Sequence, residues 1–168
     1  SDLVEHAACT ATEMVAFRAY AMAVERVERW LHEVTAAMNA AQIPYAVIGG
    51  NAVALWVETV DPEATRSTKG LDLLVRKQDA DRIRTLIEGL GFDCENLRGW
   101  LFFLDKKAPS RRSGVHLVWA NQRVWPSDLL PTPEVEEAVL LGDRFRVLRL
   151  ESLVRMKLTS FREVDRTH

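Results

Sequence analysis

A chain of 168 residues and 19.0 kDa, 48% hydrophobic and 27% charged, has the size and composition of one soluble globular domain, which excludes a disordered or fibrous polypeptide. Its 22 Lys and Arg against 24 Asp and Glu leave a net charge of -2, so no overall charge advertises nucleic acid or membrane, and such a partner would need a local patch. Two cysteines, Cys9 and Cys94, are too few for a disulfide scaffold or a four-thiolate zinc site and read as free buried thiols in a reducing compartment, which points to the cytoplasm. No stretch approaches the roughly 18 apolar residues that a membrane-spanning helix needs.

The first forty residues predict a helix, because Phe17, Tyr20, Val24, Val27, Leu31, Val34 and Met38 recur at alternating spacings of three and four. Residues 1–40 are therefore expected to form a helical segment packing on the domain of residues 41–168. The same heptad-like stripe could instead pair with a second copy of the chain, giving a homodimer. Ile43–Ile48 predicts a strand that ends at a tight turn, Gly49-Gly50, and Asn51–Trp56 predicts a helix. After a loop around Pro62 come a strand at Leu71–Val75 and a helix from Gln78 to Leu90, closed by Gly91. Trp100–Leu104 and Val115–Trp119 predict a hairpin with a long loop, Phe145–Leu150 a further strand, and Glu151 to about Phe161 a closing helix. The expected fold is α/β (α+β): a mixed sheet flanked by helices, with a long helix at the N-terminus.

Three pieces fall in a fixed order: Gly49-Gly50-Asn51 between strand and helix, the segment from Arg66 through Thr68, Lys69 and Gly70 to Asp72, and Lys157 in the last helix. Together they resemble the nucleotidyltransferase superfamily, in particular the small prokaryotic branch that includes the abortive-infection nucleotidyltransferase toxins. The resemblance implies transfer of a nucleoside monophosphate from a nucleoside triphosphate to an acceptor, RNA or protein among the candidates, with Mg²⁺ or Mn²⁺ as cofactor. By the same resemblance Asp72 and Lys157 are the catalytic candidates. Gly49, Gly50, Asn51, Arg66, Thr68 and Lys69 would face the nucleotide, and Asp72 with His116 would be the metal candidates.

Elementary chemistry makes the pattern intelligible. Glycines at a strand-to-helix turn let backbone approach a ligand closely, and the helix N-terminus offers unpaired N–H groups to phosphate. Carboxylates at i and i+2 of a strand share a face and, with a third from a neighbouring strand, can hold two metal ions about 3.5–4 Å apart. By the resemblance, Gly70 stands where the family has the first of these acids and His116 where it has the third, so one of three is present. Asp72 is then equally a partner for an N–H group or Arg66, and His116 a hydrogen-bonded strand histidine. A catalytically inactive nucleotide- or partner-binding protein, or a structural dimer, is the alternative to an enzyme. Asp105, Glu58, Glu63 and Glu95 are the acids nearest in sequence that could substitute, and a Gly70→Asp, His116→Asp pair is expected to raise Mg²⁺ affinity. Lys106, Lys107, Arg111 and Arg112 on the hairpin loop form the best local patch for RNA or another polyanion, and Trp100, Trp119 and Trp125 are candidates for stacking on a base.

Overall fold

The computed structural model describes residues 2–64 and 68–166, with side chains over 10–64 and 68–159. Helix α1 spans Asp2–Ala40, then come β1 (Tyr45–Ile48), α2 (Gly49–Glu58), β2 (Leu71–Val75) and α3 (Ala80–Gly89). The chain continues through β3 (Phe92–Leu97), β4 (Trp100–Asp105), β5 (Val115–Trp119), β6 (Ala138–Leu141), β7 (Phe145–Leu148) and α4 (Leu150–Arg166). The seven strands form one mixed sheet in the order β3-β4-β5-β2-β1-β7-β6. Strand β2 runs antiparallel to β1 and parallel to β5, and β1 runs parallel to β7.

Two strands escape the sequence pattern, and both lie at sheet edges. Strand β3 carries Asp93, Glu95 and Asn96 in six residues, and β6, Ala-Val-Leu-Leu, is apolar but short and left half-buried or exposed. Central strands β1 and β2 are almost wholly buried, and Asp72 is the polar interruption in β2.

Alternation along β2 divides the core. Leu71, Leu73 and Val75 point into a large cluster with Trp30, Leu31, Val34 and Met38 of α1 and Ile83 and Ile87 of α3. Leu74 points the other way, into a smaller cluster with Ala46, Ile48, Val135 and Leu148, on which Leu153 and Met156 of α4 pack. The stripe on α1 divides too. Val27, Leu31, Val34 and Met38 are buried against the chain's own sheet, whereas Phe17 and Tyr20 remain exposed on the preceding turns, where the dimer expectation would need them. Free Cys94 is half-buried, and burial pushes its thiol above the ordinary value; the side chain of Cys9 lies outside the described residues.

Candidate functional site

The thinly covered face of the sheet carries a row of residues in register across five strands. Ile48 stands opposite Asp72, Asp72 opposite His116, His116 opposite Phe102, and Phe102 opposite Glu95. His116 Nδ1 lies 3.0 Å from Asp72 Oδ1, and His116 Nε2 lies 3.1 Å from the Arg111 carbonyl oxygen. A carbonyl can only accept, so Nε2 carries a proton; a carboxylate does the same at Nδ1. The geometry fits an imidazolium facing a carboxylate, and the hydrogen bond that His116 donates to Asp72 raises the His116 pKa above its ordinary 6.5 although burial opposes it. Phe102 packs edge-on to the imidazole at 5.1 Å between ring centres.

The glycine turn abuts this row. Gly49 opens α2 with φ +66°, a conformation that favours glycine, and a Cβ there would lie 2.5 Å from Asp72 Oδ2. Gly50 is also confined, since a Cβ would sit 2.9 Å from Thr68 Cγ2. The Asn51 amide donates to the Gly70 carbonyl at 2.7 Å and its oxygen accepts from the Thr68 hydroxyl at 3.1 Å, so Asn51 rivets the turn to the approach of β2. Among the described residues no side chain caps the N-terminus of α2, which leaves its first amides to a ligand or solvent.

A cavity of about 970 Å³ opens from the turn, walled by α2, α4 and the segment 124–132. Gly49, Gly50, Thr68 and Lys157 all line it, so four of the residues singled out in the sequence meet at one cleft. Trp125 lines it and is half-exposed; Trp119 is buried, with its indole N–H on the Gly99 carbonyl, and Trp100 packs on the core. Sequence reasoning missed Asp128 and Arg155 in the wall. Arg155 donates to both oxygens of Glu137 at 3.1 and 3.2 Å, tying α4 to the turn before β6. Burial alone would raise the Glu137 carboxyl, but hydrogen bonds from the Glu134 amide, Ser152 and Arg155 hold it below its ordinary value.

No protein-family model and no curated protein matches the chain. Among solved structures it is similar to the antibiotic-resistance factor ANT(2'')-Ia in solution, with TM-score 0.59 and 18% identity over 84% of this chain and 75% of that one. The crystal structure of ANT(2'')-Ia in complex with adenylyl-2''-tobramycin matches with TM-score 0.52 and 17% identity, over 80% of this chain and 76% of that one. An antigenic nucleotidyltransferase-like protein from Paracoccidioides brasiliensis follows at TM-score 0.49 and 18% identity, covering 80% and 65% of the two chains. The chain has a nucleotidyltransferase-like fold.

This fold implies divalent metal, and the residues in the row do not fit two such ions. Among the described residues Asp72 is the one carboxylate in contact range of the glycine turn, and both nitrogens of its neighbour His116 already face oxygen partners, Asp72 and the Arg111 carbonyl. Glu95 shares the face but lies beyond Phe102 and pairs with Arg111 at 2.9 Å. Asp105 faces the opposite layer, where it accepts the Trp30 indole N–H at 3.2 Å. Among the described residues no three of His, Cys, Asp and Glu gather as a metal would require. Lys69 is exposed and outside the cavity wall, and Arg66 lies outside the described residues. The basic loop is partly neutralised, Lys106 by Asp93 at 3.8 Å and Arg111 by Glu95.

The raised His116 pKa fixes the sign of a pH effect. A folded value above the unfolded one contributes stability that is complete below about 6.5 and lost as pH rises through the folded value. The melting temperature of the wild type minus that of His116→Gln is therefore expected to be largest at pH values below about 6.5 and to shrink as pH rises above it. Thermal melts across that range check it, and a difference that grows with pH would mean a neutral imidazole.

Proposed function

We propose that this nucleotidyltransferase-like chain binds a nucleotide with its phosphates at Gly49 and Gly50, and does so without the two-metal transfer of a nucleoside monophosphate. The observation that carries this reading is the Asp72–His116 ion pair, which puts a protonated imidazole where a transferase of this fold would need an acid. The uncapped amides of α2 supply donors to phosphate, Lys157 adds an ammonium at the same cleft, and Asn51 and Thr68 hold the turn in place. The likeness of the Arg66–Asp72 segment to abortive-infection nucleotidyltransferases supports the same location for the nucleotide.

The test is a thermal-shift titration with ATP, GTP, CTP and UTP, each with Mg²⁺, with Mn²⁺ and with chelator. Saturation at about 100 times Kd adds about 2.7 kcal/mol, and each kcal/mol moves the Tm of a domain this size by roughly 2–4 °C. A shift of several degrees with at least one nucleotide, unchanged by chelator, is the expected result. A shift that needs metal would instead favour an active transferase and justify an acceptor search with RNA and protein. A flat response to all four would leave a scaffold.

A further inference from the structure

The cavity is larger and more apolar than a phosphate cradle requires. At about 970 Å³ it lies at the upper end of the roughly 300–1,000 Å³ typical of small-molecule sites. Beyond the glycines its walls are Val53 and Val57 of α2, Val124 and Leu130 of the crossing segment, and Leu150 and Val154 of α4. Five of these six are large apolar side chains left about half exposed, on three separate pieces of chain that face one space. Apolar surface gathered this way favours an apolar occupant.

The charged groups in the wall set the sign of that occupant. Asp128 is buried, and one of its carboxylate oxygens accepts the Trp125 amide at 2.9 Å. Arg155 and Lys157 are the wall's cations. Glu137 holds the Nη2 end of Arg155, but Arg155 Nε is buried with no acceptor among the described residues. A buried donor without an acceptor costs free energy that a ligand oxygen would recover.

We propose that the part of the cavity beyond the glycine turn binds an amphiphilic monoanion, an aliphatic or aromatic body bearing one carboxylate or phosphate, with its acidic head at Arg155. This ligand class rests on the nucleotide reading only for what occupies the neighbouring phosphate end.

The experiment is displacement of 1-anilinonaphthalene-8-sulfonate, followed by its fluorescence on the intact chain, using decanoate, decyl phosphate, decanol and decylamine as competitors. The two acids are expected to displace the dye at concentrations at least about tenfold below that of decanol, with decylamine weaker still. Val57→Asp and Val154→Asp should each weaken dye binding by about tenfold or more, and circular dichroism confirms that each variant folds. A Phe17→Glu, Tyr20→Glu variant removes dye sites on the exposed stretch of α1 and should keep the competition intact. Equal displacement by acid and amine, or dye binding unmoved in both cavity variants, overturns the proposal. A preference for decanoate over decyl phosphate, or the reverse, identifies the head group. Dye displacement alongside a flat nucleotide titration would discard the nucleotide reading and keep this one; the opposite pattern would do the reverse.

Discussion

Trp30→Ala is expected to destabilise the chain by about 3–5 kcal/mol, lowering Tm by roughly 6–20 °C. Trp30 is 1% exposed, packs edge-on against Phe92 at 5.7 Å, and donates its indole N–H to Asp105. Truncation would open a cavity where α1 meets the sheet and also leave the Asp105 carboxylate, 7% exposed, short of a donor. Trp30→Phe separates the two contributions. It retains most of the packing and forfeits the hydrogen bond, so it should cost about 1–3 kcal/mol. Chemical denaturation of the three proteins measures both, and a Trp30→Phe loss as large as that of Trp30→Ala would show that the hydrogen bond dominates.

Gly70→Asp, alone or with His116→Asp, is expected to lose stability by about 1–3 kcal/mol or more without gaining Mg²⁺ affinity. This reverses the expectation drawn from sequence, and the reason is steric. A Cβ at Gly70 would lie 2.8 Å from the Gly114 carbonyl oxygen, which accepts the Leu71 amide at 2.9 Å in the ladder between β2 and β5. Gly114 cannot retreat, because a Cβ on its own far side would already meet the Phe103 carbonyl oxygen at 2.2 Å. Adding a side chain at 70 therefore forces the β2–β5 ladder apart rather than completing a metal site. Calorimetric Mg²⁺ titration with a parallel thermal melt checks both halves. Tighter Mg²⁺ binding in a stably folded variant would show that the strand start can yield and that position 70 is an acid position after all.

Much of the site was legible before the fold. Gly49, Gly50, Thr68 and Lys157 stand far apart in sequence yet line one cavity, and Asp72 with His116 are neighbours on adjacent strands. The resemblance reached these because the motif residues that carry it sit at a strand, a tight turn and a helix start, which are local features of the sequence. Asn51 is different: the resemblance sets it facing the nucleotide, whereas its amide group is spent on Gly70 and Thr68. Arg155 and the apolar walls of the cavity had no local signal. Val53 reads as ordinary helix interior and Val57 falls just past the predicted helix, and only the relative placement of α2, α4 and segment 124–132 leaves them facing open space.

By itself the sequence determined the central strands, the helices between them and the glycine turn, since each depends on residues close along the chain. The tertiary structure decided which half of the α1 stripe is buried, the two edge strands, the placement of His116 between Asp72 and the Arg111 carbonyl, and the reason Gly70 must be glycine. Those outcomes depend on distances between segments tens of residues apart, and pairing, burial and close backbone contact exist only once the chain has folded.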